Sequence, residues 1–196
     1  MLKQFTLVLI VLLVVGCGSS PPVDFYTLQP IRGTVSSAPE GSEILGLGPL
    51  TLPDYLQRPQ LVTQTGGGAV RLDEFNRWAE PLEVAMPRVV ATNVDQLVSD
   101  LTVIPFPWDS RLRTDYRLLG RVNSFGADAA GLVVLEVQWG IQDRDAKLVL
   151  QPRRDRYQAQ ASSSDVAAVV VAMNSAVEQF SRDIASQIST VRQARQ

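Results

Sequence analysis

The apolar run Phe5–Val15 stops at Gly16-Cys17, and that ending divides the chain before any other feature does. Lys3 ahead of the run, an apolar stretch within the ~7–15 residues of a secretory signal, and a small residue at Gly16 are the three parts of an export leader. A helix that crosses a bilayer needs about 20 apolar residues to cover ~30 Å of hydrocarbon. Here the sequence turns polar much sooner, at Gly18-Ser19-Ser20-Pro21-Pro22. Residues 1–16 therefore read as a signal peptide, and the fold must be built from Cys17 onward.

Cys17 is the only cysteine, so it has no disulfide partner within the chain. Placed directly after a cleavage point it resembles a bacterial lipobox, in which the thiol receives a diacylglycerol and the freed amine an acyl chain. Each buried CH₂ contributes ~0.8 kcal/mol, and stable anchoring takes more than one chain, so a triacylated Cys17 would stay in its membrane. Position 18 is Gly. By resemblance to Gram-negative lipoprotein sorting, where Asp at that position retains a protein at the inner membrane, Gly18 implies the periplasmic face of the outer membrane. Residues 17–22 then form an acylated tether, long enough to lift the domain off the surface. Residues 23–196 suit one domain of ordinary size.

Composition narrows the chemistry. With 18 basic and 20 acidic residues the formal net charge is −2, which lacks the basic footprint of a nucleic-acid binder. There is no histidine. With Cys17 consumed by lipid, the usual general base and the usual zinc, copper and haem ligands are missing, so no metal or cofactor is expected beyond the acyl groups on Cys17. The remaining candidates are carboxylate pairs: Asp73 with Glu74, Glu80 with Glu83, and Asp143 with Asp145. The first and last sit at hairpin or turn edges, where acidic residues are usually solvated or capping. The second lies in a helix first turn, where the macrodipole accounts for it. Gly46-Leu47-Gly48 and Gly66-Gly67-Gly68 lack the further residues of a nucleotide-binding loop. No catalytic role follows from any of them.

Periodicity supplies the elements. Val23–Leu28 and Glu43–Gly48 read as strands, the second closed by Pro49. Leu61–Thr65 and Ala69–Glu74 flank the three glycines as a hairpin. From Glu80-Pro81 an apolar stripe of Leu82, Met86, Val89, Val90, Val94, Leu97 and Leu101 predicts a helix, kinked or delayed by Pro87. Val103–Trp108 is a short strand entering a proline-broken aromatic loop. Tyr116–Phe125 and Leu132–Gln142 form an antiparallel pair, followed by Lys147–Gln151 and Arg156–Gln160 as a strand broken at Pro152. Val166, Val169, Val170, Met173, Val177, Phe180, Ile184 and Ile188 trace the seam of a final helix, capped by Ser163 or Ser164. The sum is an α+β fold: a mostly antiparallel sheet with two long amphipathic helices packed on one face, in a single domain.

Three blocks carry a family resemblance: Asp24-Phe25-Tyr26-Thr27-Leu28, then Gly48-Pro49 with Leu52-Pro53-Asp54-Tyr55-Leu56-Gln57-Arg58-Pro59-Gln60-Leu61-Val62, then Arg77-Trp78-Ala79-Glu80-Pro81-Leu82. Together they resemble the ABC-type transport auxiliary lipoproteins of the paraquat-inducible protein C type. The resemblance implies a non-enzymatic outer-membrane lipoprotein of an MCE-type intermembrane lipid transport system. Its partners would be an MCE-domain tunnel protein and that protein's inner-membrane partner. Aromatic anchors with arginine at the rim typify interfaces. On that ground Pro53, Tyr55, Leu56, Arg58, Arg77, Trp78 and Trp108 are the candidate partner-binding residues, the other reading being that they anchor loops on the core. Ala167, Ala168, Ala172 and Ala176 leave a ring-like homo-oligomer open. The alternative function is a periplasmic lipid- or solute-binding carrier, with an acyl chain held between sheet and helices.

Overall fold

The computed structural model describes residues 21–33, 39, 41–109 and 111–195. The expected signal peptide, residues 1–16, and Cys17 lie outside the described residues. Eight strands form one sheet: β1 (Asp24–Tyr26), β2 (Glu43–Thr51), β3 (Gln60–Gly66), β4 (Ala69–Trp78), β5 (Leu101–Pro105), β6 (Tyr116–Asp128), β7 (Leu132–Asp143) and β8 (Leu148–Gln160). Among the described residues two α-helices accompany it, α1 (Leu82–Leu97) and α2 (Val166–Gln193).

The sheet is α+β in class but mixed in pairing. Antiparallel pairs β3–β4, β6–β7 and β7–β8 carry the long registers, while β1–β4, β2–β5, β2–β6 and β3–β6 are parallel. The strand β6 organises it. One edge of β6 takes β7 along nearly its whole length. The other edge takes β2 beside Tyr116–Arg121 and β3 beside Ala127–Asp128, so the sheet forks there. The Leu52–Pro59 segment that joins β2 to β3 occupies the fork, with a short 3-10 turn at Asp54–Leu56.

Alternation on β7 sets the core face. Val133, Leu135, Val137, Trp139 and Ile141 are all buried, and the Trp139 ring meets Phe180 of α2 edge-on at 5.7 Å. The α2 seam holds from Val170 to Ile188, with Ala172, Ala176 and Ala185 filling the spaces between its larger residues. Ala172 and Ala176 therefore face inward and are not available for packing a second subunit. The two helices lie side by side on this face. Helix α2 begins beside the β6–β7 turn and the β3–β4 hairpin, and α1 beside the end of β2 at Thr51 and Leu52. At the opposite end Arg192 of α2 donates to Glu43 Oε2 at 2.5 Å and to the carbonyl oxygens of Ser99 and Asp100.

Several boundaries differ from those that periodicity predicts. Strand β2 runs through Pro49 to Thr51, because a register shift between Leu47 and Leu50 leaves the missing proline N–H without a ladder partner to lose. Strand β8 is continuous, because the same device opposite Gly140 absorbs Pro152. Helix α1 ends at Leu97, and Leu101 opens β5 instead, after Asp100 takes a positive φ of 59°. Pro87 neither delays nor ends α1, which starts at Leu82 and passes through it. At α2 the N-cap is Asp165, which makes no side-chain cap bond, while Ser163 Oγ accepts the Asp165 N–H at 3.2 Å.

Candidate functional site

The residues expected to meet a partner fall into two places. Pro53, Tyr55, Leu56 and Arg58 ride on the segment in the fork, and Arg77 and Trp78 end β4 beside it. Trp78 N–H donates to the Pro59 carbonyl at 2.6 Å, and Gln60 pairs with Arg77. Trp108 follows β5, at the far end of the strand order.

Burial sorts them further. Leu56 is 1% exposed and Trp78 4%, so both belong to the core and neither can be part of an accessible patch. The cause is the fork: separating β2 from β3 opens the sheet, and Leu56 closes it with apolar volume that a continuous ladder would otherwise supply. Pro53 is half-buried, Tyr55 is half-buried against the same core, and burial pushes the Tyr55 phenol above its ordinary value. Arg58 is exposed. Arg77 turns along its own strand, donating from Nε to the Glu74 carbonyl at 3.1 Å and from Nη2 to Glu74 Oε2 at 3.4 Å. Trp108 is half-buried, and Phe106 meets it edge-to-face at 5.4 Å.

Two concavities were not legible in the sequence. A groove of about 500 Å³ runs between the end of β2, the start of α1 and the turn after β5. Its walls are Pro49, Leu50, Leu52, Val84, Phe106 and Pro107, with Glu83 and Arg88 among its polar lining. Val84 and Phe106 are exposed there. Val84 lies off the apolar stripe of α1, and that departure is the one signal the sequence held. The second is a cleft of about 820 Å³ between the β3–β4 hairpin, the β6–β7 turn and the first turns of α2. Leu61, Val62, Leu72, Val166, Val169 and Met173 give it apolar walls, and Arg71, Asp73 and Glu74 line it as well.

Of the candidate carboxylates, Asp73, Glu74, Glu80 and Asp143 have structural partners. Asp73 Oδ1 accepts the N–H groups of Phe75 and Asn76 at 3.0 Å each, holding the irregular part of β4. Glu80 pairs with Arg88. Asp143, buried, accepts the N–H groups of Asp145 and Lys147 and the Arg195 guanidinium at 2.6 Å. Among the described residues no group of three or more His, Cys, Asp or Glu side chains is arranged to hold a metal ion, and no helix is long and apolar enough to cross a membrane.

Known proteins share this fold and this sequence pattern. A protein XCC0632 from Xanthomonas campestris superposes with a TM-score of 0.71 at 18% identity, over 89% of this chain and 100% of its own. An uncharacterised protein of known structure gives a TM-score of 0.73 at 20% identity, over 86% and 99%. At these identities they establish the architecture alone. In sequence, the chain is 26% identical over 155 residues to the intermembrane transport lipoprotein PqiC of Escherichia coli (strain K12), covering 78% of this chain and 81% of that protein. A PqiC of Shigella flexneri matches over the same extent. Residues 26–185 match the family of the ABC-type transport auxiliary lipoprotein component, whose members assist transport rather than catalyse a reaction, and the chain belongs to that family.

Proposed function

We propose that this protein is an outer-membrane lipoprotein of a Pqi-like, MCE-type intermembrane lipid transport system, anchored by acylated Cys17 on the periplasmic face, where it seats the end of the tunnel protein. The observation that carries the reading is the match to PqiC across four-fifths of both chains, taken with a family of transport auxiliary lipoproteins. The role is positional. An anchor converts docking into a surface-confined event at raised effective concentration, so modest contacts suffice.

For the contact itself, the groove of Pro49, Val84, Phe106 and Pro107 offers accessible apolar surface flanked by Glu83 and Arg88. Leu56 and Trp78 do not contribute to it, whereas Arg58 remains available as a rim residue. The test is capture from solubilised envelope with wild type, Cys17→Ala, and Val84→Asp with Phe106→Asp. Recovery of an MCE-domain protein by wild type, lost in the groove variant with an unchanged circular dichroism spectrum, supports docking. Recovery of no such protein by acylated wild type overturns it.

The carrier reading rests on the 820 Å³ cleft, which is large enough for part of an acyl chain. Phospholipid retained stoichiometrically by the purified protein, and lost on Val169→Asp, is the result that would put this reading first.

A further inference from the structure

Four of the eight large apolar residues exposed among the described residues gather on one edge of the sheet: Val23, Phe25, Val70 and Phe75. Phe25 is 64% and Phe75 46% exposed. Strand β1 is the terminal strand of the sheet and runs parallel to β4, with Asp24 opposite Asn76 and Phe25 opposite Arg77. The chain before Asp24 therefore enters alongside Phe75, from the end that carries the β3–β4 turn. With Cys17 as the anchor, the tether meets the domain at that end. From Cys17 to Val23 a fully extended chain reaches at most about 20 Å. The headgroup layer beneath it is about 5–7 Å deep on each side.

We propose that the Val23–Phe25 and Val70–Phe75 edge rests on the bilayer that holds Cys17, with the two phenyl rings in the headgroup region, so that the lipid surface is the occupant of this apolar edge. The acyl chains keep that surface within a short tether's length at all times, so it meets the edge at an effective concentration other binders do not reach. Exposed aromatic side chains gain by moving from water into the headgroup boundary. Beyond Tyr26 the chain is fixed to the domain: Leu28 is buried, and the N–H groups of Gln29 and Ile31 donate to Asn174 Oδ1 of α2 and Asn93 Oδ1 of α1, each at 2.9 Å. Contact at the edge therefore orients the whole domain, with the Arg192 end of the helices pointing away from the membrane and the groove at Phe106 held at a set height.

The inference depends on Cys17 being acylated, and one experiment separates the two. Acylation consumes the only thiol, so Phe25→Cys, Phe75→Cys and Leu148→Cys each provide a single site for a nitroxide in the mature full chain. Leu148 is exposed at the start of β8, opposite Gln142 and far from the tether. The labelled proteins are reconstituted in vesicles of phosphatidylethanolamine and phosphatidylglycerol, and collision with oxygen and with a nickel chelate is measured. The expected result is one label per chain, with positions 25 and 75 several-fold less accessible to nickel and more accessible to oxygen than position 148. One label per chain with position 25 as open to nickel as position 148 overturns the edge contact and leaves the anchor standing. Protection of 25 and 75 from both reagents overturns it too, since a protein surface then covers the edge. Two labels per chain show a free Cys17 and remove the anchor, and the proposal with it.

Discussion

Asn93 of α1 donates from Nδ2 to Ser181 Oγ of α2 at 3.0 Å, inside the buried seam between the helices. Its Oδ1 accepts the Ile31 N–H, so one side chain ties both helices to the strap that leads to the tether. Ser181 passes its own hydrogen to the Val177 carbonyl at 2.8 Å, which completes the network. Asn93→Ala removes the donor and leaves the Ile31 N–H without a partner, and the expected loss is about 1–3 kcal/mol. Urea unfolding measures the loss. Amide exchange at Ile31 should accelerate in the same variant, and an unchanged rate there would show that the strap is held by something else.

The Trp108 indole lies on the backbone of Gly46, where an added Cβ would come within 2.7 Å of Cη2 and 3.1 Å of Thr114 Cγ2. Gly46→Ala should destabilise by about 1–3 kcal/mol through overpacking. Trp108→Ala opens the space, so the two changes together should cost less than their sum. Strict additivity in the double-mutant cycle would mean that the indole does not bear on Gly46.

Leu56 and Phe106 should separate folding from docking. Leu56→Ala empties a fully enclosed position in the fork, with an expected cost of about 2–5 kcal/mol. Phe106→Ser, at an exposed position, should stay within about 0.5 kcal/mol of wild type. Capture of the proposed MCE-domain partner should show the opposite sensitivity per unit of stability lost. A Phe106 variant that unfolds as early as the Leu56 variant would place Phe106 in the core instead.

Alkaline pH should reveal Tyr157. Its Oη donates to Asp183 Oδ2 at 2.8 Å, and burial together with that carboxylate raises its pKa far above the ordinary value. The unfolded chain releases the phenolic proton near pH 10 and the folded one keeps it, so stability is intact below about pH 10 and falls as pH rises further. Tyr157 alone contributes a slope of about 1.4 kcal/mol per pH unit in that range. Tyr157→Phe should remove that share while the slope due to Tyr26 and Tyr55, whose values are also raised, persists. Chemical denaturation between pH 9 and 11 provides the comparison.

Much of the architecture was written locally. The alternation Val133 to Ile141 fixed which side of β7 is buried, and the seam from Val170 to Ile188 fixed the buried face of α2, because burial on one side of a strand or helix imposes a period on neighbouring residues. The break at Gly16-Cys17, where the sequence predicts that a leader ends, is likewise read without reference to the fold. Which strands lie side by side depends on pairs such as Leu45 with Tyr116 and Thr63 with Ala127, more than sixty residues apart, and nothing in either segment names the other. The fork at β6 follows from those pairings. It is the fork that takes Leu56 into the core, while the packing of α1 against β2 and β5 leaves Val84 and Phe106 in water. A residue's type sets what it gains by burial; whether the burial occurs is set by neighbours that only the folded chain supplies.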